Sequence, residues 1–235
     1  MNLEEVMNYL ESKGSEQTRK IFAKHGALSN LYGVKVADLK PIFKKEKNNH
    51  DLALELYGTG NSDAMYLAGL IADSSQITKE QLKEWALNAG WYMISEYSVA
   101  WNIAESPYCM ELCLEWIDSD NVKLQEAAWA ALGCHIGVTS NDELDLAVID
   151  MLLERAEREV HSAANRVRYC MNGFVIAVGG GNPNYTEKCK EIGERIGKVE
   201  VFMGETSCKV PVIKAYIENM EKRGRIGKKK KTAKC

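Results

Sequence analysis

The stretch NGFVIAVG, residues 172–179, is apolar at almost every position, and its conformation decides the fold class. Val175, Ile176 and Val178 are β-branched and favour a buried strand locally. A strand needs partners, however, and the chain has no companion set of alternating runs to pair with it. AMYLAGLIA (64–72) is equally apolar. Both stretches read as helices buried on more than one side, at the centre of a helix stack. KVEVFMG (198–204) has a strand-like pattern but is short and precedes a Thr-Ser turn, so an irregular connection fits it equally well.

Outward from these stretches the apolar spacing is helical. Leu3, Val6, Met7 and Leu10 follow the i, i+3, i+4, i+7 rule, with Asn2 as cap and Glu5 three residues on. Ser15 can cap a second helix that Gly26 closes, and Thr78 with Gln81 forms a capping box ahead of Leu82, Trp85 and Ala86. Leu124, Ala127, Ala128, Ala131 and Leu132 make one further stripe, and Leu144, Val148, Met151 and Leu152 another. Pro211 suits the first turn of a last helix whose buried face would be Val212, Ile213, Tyr216, Ile217 and Met220. These segments make about a dozen helices in pairs of roughly 40 residues, the period of HEAT-like repeats. Such pairs cannot bury their apolar faces alone, so the expected fold is all-α: helix pairs stacked into a curved α-α superhelix with a concave binding face. Residues 1–221 are expected to form one domain.

Composition narrows the class. Apolar residues make up 46% and charged residues 27% of the chain, as in ordinary globular proteins. No run approaches the roughly 20 apolar residues of a membrane span, and acids occupy the N-terminus where a secretion signal would be basic. The expectation is a cytoplasmic protein with no membrane partner. Seven cysteines, an odd number spread along apolar helix faces, read as reduced core thiols. Cys109 and Cys113 share a helix face, but neither has a nearby His or second Cys pair in sequence to complete a metal site. The net charge of −3 hides an asymmetry. Eight of the 30 basic residues lie in 222–235, which has no acid, so the preceding body carries −11. A basic tail on an acidic body suggests a polyanionic partner or a solvated, flexible end, and its charge alone does not separate the two.

Three segments carry a family resemblance: NLYGVKVADLKPIFKK (30–45), GWYMISEYSVAW (90–101) and SDNVKLQEAAWAAL (119–132). In pattern and order, together with NGFVIAVG, they resemble the AlkD-like DNA alkylation-repair family over most of residues 20–180. NRVRY, MGETSCKVP and RIGKKKKTAKC mark a particular branch of that superfamily. The resemblance implies a HEAT-like repeat DNA glycosylase that holds duplex DNA by its backbone and removes N3- and N7-alkylated purines. It implies no metal or organic cofactor, DNA as the partner, and a monomer. Residue by residue, it puts the catalytic carboxylate at Glu96, where the family has an aspartate. It puts the two lesion-facing aromatics at Tyr92 and Phe174, where the family has tryptophans, and an aromatic beside them at Trp91. The family's backbone-gripping arginine falls at Glu126, a charge reversal that replaces attraction to phosphate by repulsion. Arg166 and Arg168, with the tail lysines Lys228, Lys229, Lys230 and Lys231, are the basic residues placed to compensate.

Without the family, Glu96 between Tyr92 and Tyr97 is a carboxylate among aromatics or simply one acid on an amphipathic helix. Trp91, Trp101, Trp116 and Trp129 fit a core as well as a base-stacking platform. Thr206, Ser207 and Lys209 before Pro211 offer an anion site at a helix start. Two functions follow: a glycosylase using Glu96, Tyr92 and Phe174, or a non-catalytic scaffold that binds nucleic acid or protein. The departures at Tyr92, Phe174 and Glu126 weigh towards the second.

Overall fold

The computed structural model describes residues 1–234. Among them there is no strand, and thirteen α-helices make up most of the chain. The Cα positions group into two compact units, Met1–Tyr108 with Met203–Ser207 and Lys234, and Cys109–Phe202 with Cys208–Ala233. Residues 222–234 are shared between the two units.

The first unit contains α1 (Leu3–Lys13), α2 (Glu16–Lys24), α3 (Val36–Glu46), α4 (His50–Gly58), α5 (Ser62–Ile71), α6 (Lys79–Asn88), a π-helical turn (Ile94–Val99) and α7 (Ala100–Ala104). Its helices start where the sequence places their caps. Asn2 with Glu5 and Thr78 with Gln81 form reciprocal capping boxes, and Ser15 accepts from the Thr18 N–H. α5 is buried along all ten residues and packs on α3, α4 and the π turn, as the AMYLAGLIA composition requires. Asn61 caps it through the N–H groups of Asp63 and Ala64. Asp63 then serves the preceding loop: its carboxylate accepts from the backbone N–H of Tyr32, Gly33 and Val34 at 2.6–3.0 Å. Burial pushes the Asp63 carboxyl up, and those three bonds oppose the rise. Gly33 has φ +79°, and a Cβ there would lie 2.6 Å from Arg19 Cγ, so NLYG turns at a position only glycine fits.

The second unit contains α8 (Cys109–Trp116), α9 (Val122–Val138), α10 (Leu146–Glu159), α11 (Asn165–Gly181), α12 (Thr186–Ile196) and α13 (Ile213–Lys222). NGFVIAVG lies within α11, which packs on α9, α12 and α13. Burial on several sides outweighs the local β preference of its valines and isoleucine. Glycine lets the helices close in: a Cβ at Gly179 would stand 2.6 Å from Ile217 Cδ1. Residues 198–203 form an irregular connection. α13 begins two residues after Pro211 and buries only Ile213 and Ile217. Val212 and Tyr216, expected in its core face, are exposed. One helical residue rotates the side chain about 100° from its neighbour, which carries both beyond the stripe that α11 and α12 cover.

The basic tail donates hydrogen bonds to helix ends. Lys229 Nζ donates to the Ile136 carbonyl at 2.7 Å, and the Lys230 N–H to Gly137 at 2.8 Å, both in the last turn of α9. The Gly227 N–H donates to Gly180 at the end of α11. In the other unit Lys234 Nζ donates to Ala72, the C-cap of α5, at 2.5 Å. Helix ends leave carbonyls without intrahelical donors, and they carry the negative end of the helix dipole. A chain rich in N–H groups and ammonium is the natural cover for them. Truncation after Ile226 should therefore lower stability by about 2 kcal/mol or more. Thermal unfolding should show the loss as a midpoint about 4–8 °C lower.

Candidate nucleic-acid interface

The GWYMISEYSVAW segment leaves α6, passes through Trp91 and Tyr92, and enters the π turn that carries Glu96. A π turn leaves backbone groups out of α register and needs side chains to hold it. Asn102, wholly buried, donates from Nδ2 to Ser98 O at 2.7 Å and to Gly69 O at 3.0 Å. Its Oδ1 accepts from Ser74 Oγ at 2.8 Å. Gly69 of α5 lies so close that a Cβ would meet Ser98 Cβ at 2.4 Å. These contacts fix the turn, and Glu96 sits on it 8% exposed.

Trp91 and Tyr92 converge on the end of α2. Trp91 Nε1 donates to the His25 carbonyl at 2.9 Å, and its ring centroid is 5.1 Å from Phe22. Tyr92 Oη lies 3.3 Å from His25 Nδ1. The MGETS segment reaches the same place: the Glu205 N–H donates to Lys24 O at 2.9 Å, and a Cβ at Gly204 would lie 2.2 Å from that oxygen. Two of the sequence segments that mark the family and its branch thus meet at one helix end. Trp91 is buried there, as the core reading of the tryptophans has it, so its indole offers no free face. Tyr92 is half-buried and keeps an edge in solvent.

In the second unit Phe174 is 1% exposed and packs edge-on against Trp129, with ring centroids 5.4 Å apart. Phe174, the position the resemblance gives to a lesion contact, lies in the α9–α11 packing with its ring buried. Glu126, expected as a phosphate-facing reversal, is also buried on α9. Arg168 braces a loop, donating from Nε to Ala163 O at 2.7 Å and from a terminal nitrogen to Glu200 O at 3.2 Å. Arg166 lies over the Tyr169 ring at 4.4 Å, half-buried. Lys229 is occupied at the end of α9, whereas Lys228, Lys230 and Lys231 are exposed.

Sequence reading missed Phe202. It is 73% exposed, yet its backbone is held on both sides by one residue: its N–H donates to Asn165 Oδ1 at 2.7 Å, and its carbonyl accepts from Asn165 Nδ2 at 2.9 Å. Asn165 is the first residue of α11, and Arg166 and Arg168 follow it. The result is an apolar ring held in water on a fixed stem. Nothing in the local sequence announces it, because the clamp spans 37 residues. Among the described residues, no helix is long and apolar enough to cross a membrane.

The model of a family described as DNA alkylation repair enzyme matches residues 6–188. The chain belongs to this family. It is 34% identical over 220 residues to the uncharacterized proteins Lin0241 of Listeria innocua serovar 6a and Lmo0209 of Listeria monocytogenes serovar 1/2a, covering 91% of this chain and 95% of each relative. A solved structure matches it with TM-score 0.92, 34% identity and full coverage of both chains. That structure is described as a new family of proteins related to the HEAT-like repeat DNA glycosylases with affinity for branched DNA structures. The all-α, HEAT-like class expected from helix spacing is therefore the fold of this family member.

Asn102 ties the π turn to α5 and to Ser74. Asn102→Ala leaves the carbonyls of Ser98 and Gly69 and the Ser74 hydroxyl without their partner, at a cost of about 2–4 kcal/mol. Urea unfolding should show the lowered midpoint with an unchanged slope.

Proposed function

We propose that this protein binds branched DNA and leaves the N-glycosidic bond uncut. The observation that carries the reading is the burial of Phe174 beneath Trp129. The resemblance puts a second lesion-facing aromatic at Phe174, and here that ring is part of the core. Trp91 is likewise committed to His25 and Phe22. What remains at the surface suits a backbone grip: Lys222, Arg223, Arg225, Lys228, Lys230 and Lys231 are exposed on a chain end anchored at α9 and α11. The affinity of the matching solved structure for branched DNA supports the same reading. On it, DNA is the partner, Arg166 and the exposed tail lysines meet phosphate, and the protein acts as a cytoplasmic monomer without metal or cofactor.

The test is a comparison of affinity for a four-way junction and for a linear duplex of equal length and sequence, at one stated salt concentration. Tighter junction binding is expected. Replacing Lys228, Lys230 and Lys231 by glutamine should weaken both complexes alike and reduce the salt slope by about 2–3. Phe202→Ala should weaken the junction complex selectively, by about 1–3 kcal/mol if the ring stacks on a base exposed at the branch point. In parallel, methylated duplex is assayed for released 7-methylguanine and 3-methyladenine. Release that disappears in Glu96→Gln would restore the glycosylase reading and overturn the non-catalytic one.

A further inference from the structure

The DNA-binding reading leaves the most strongly charged part of the first unit unused. Residues 13–47 hold nine Lys and Arg against three Asp and Glu, a net +6 within residues 1–221, which sum to −11. All nine cations are exposed. Of the three acids, Glu46 is buried, and its carboxylate accepts from the Met1 amino group and from Asn49 Nδ2. The surface that α2 and α3 present to water is therefore more positive than their composition alone.

An ordinary solvated helix face mixes signs, because Glu and Lys one turn apart attract. Here like charges are set one turn apart instead. Lys20 and Lys24 are spaced so on α2, and Lys40, Lys44 and Lys47 follow at i, i+4 and i+7 along α3 to its C-cap. That spacing costs the free protein helix stability, and a polyanion laid along it removes the cost. The two stripes meet at the NLYG turn. A Cβ at Gly33 would lie 2.6 Å from Arg19 Cγ, so the Arg19 stem rests on the bare glycine, and Lys35, two residues on, is the N-cap of α3. Beside Arg19 a groove of about 270 Å³ opens between α2 and residues 27–31. Arg19 and Lys20 stand on it, and Ala23, Ala27, Leu28 and Leu31 give it an apolar lining. Glu16 lies 3.6 Å from Arg19, an exposed pair that contributes little and can yield to another anion. Cations above apolar carbon suit a sugar–phosphate unit, whose sugar is largely C–H and whose phosphate carries the charge.

We propose that α2 and α3 carry a second DNA surface, in which Arg19 and Lys20 grip the backbone at the groove and Lys24, Lys40, Lys44 and Lys47 neutralise further phosphates. The inference rests on the reading of the protein as a DNA binder. It adds a contact in the first unit, whereas Arg166 and the exposed tail lysines belong to the second. These residues lie within the stretch that matches the DNA alkylation repair family, which favours DNA over another polyanion. Lysines spaced along a helix act as point charges and read no base, so this surface holds linear and branched DNA alike. Preference for a branch comes from elsewhere in the molecule.

The test uses the full chain with Lys20, Lys24, Lys40 and Lys44 all replaced by glutamine, and separately Arg19→Gln. Affinity for a linear duplex and for a four-way junction is measured across a range of salt. The fourfold variant should weaken both complexes by roughly tenfold or more and reduce the salt slope by about 3–4. Arg19→Gln should reduce the slope by about 1. The fourfold variant should also keep or raise its thermal midpoint, because like charges one turn apart have been removed, so misfolding cannot imitate the loss. An unchanged slope in a variant that still prefers the junction overturns this proposal and leaves the branched-DNA reading standing. Lost duplex affinity in the variant, with no junction preference in the unmutated protein, supports this surface and defeats that reading. Vesicles of phosphatidylglycerol and phosphatidylcholine test the competing partner. Vesicle binding that the four substitutions abolish, with DNA affinity untouched, assigns the face to lipid and overturns the proposal.

Discussion

A buried helix end has no water to hydrate it, a constraint that applies to α5 throughout and to α11 at its C-terminal end. α5 is enclosed along its whole length, and α11 buries most of its C-terminal half. Each leaves donors at its start and carbonyls at its end that must be matched by protein. Asn61 answers the first need at α5, and Lys234 answers the second from the far end of the chain. At α11, Gly227 supplies the donor for Gly180. The tail is therefore part of the fold, and its charge is explained by where it ends: cations and N–H groups belong at the negative ends of helices. The exposed cations left over, Lys222, Arg223, Arg225, Lys228, Lys230 and Lys231, face solvent.

The same constraint shapes the segment that carries Glu96. Because α5 and the π turn approach to the point where Gly69 admits no side chain, the turn's displaced carbonyls cannot be hydrated. Asn102 satisfies one of them, that of Ser98, and at the same time the Gly69 carbonyl of α5. Glu96 is thus positioned by a rigid, dry network rather than by a loop, and the neighbouring Trp91 and Tyr92 are tied to His25. Rigidity of this kind suits a catalytic carboxylate, and it equally suits a scaffold that has kept its packing while its chemistry has gone. Phe174, which the resemblance makes the second aromatic, has its ring in the core.

Local features of this chain were legible in its sequence. The capping boxes at Asn2 and Thr78 depend on residues three apart, and the helical state of NGFVIAVG follows from the absence of partner strands. Features that depend on distant contacts were not. Val212 and Tyr216 look like core by spacing, but only the placement of α11 and α12 decides which part of the stripe is covered. Phe174 aligns with a functional aromatic by position in a pattern, and the pattern has no information about Trp129. Asn165 is an unremarkable polar residue until the connection after α12 returns to it with Phe202.

Those two aromatics carry opposite lessons about function. One ring, Phe174, is sealed in the core, and the other, Phe202, is held in water. Exposing a large apolar ring forgoes burial worth roughly 1.5–3 kcal/mol. Clamping its backbone with both ends of an amide adds order that a merely solvated loop does not need. The arrangement makes sense when a partner completes it, and a flat, stacked partner beside Arg166 and Arg168 completes it best. An interior base pair of a linear duplex presents no such face, because both of its faces are stacked on neighbours. A branch point interrupts that stack. The geometry that argues against a glycosylase at Phe174 is therefore consistent with recognition of interrupted DNA at Phe202.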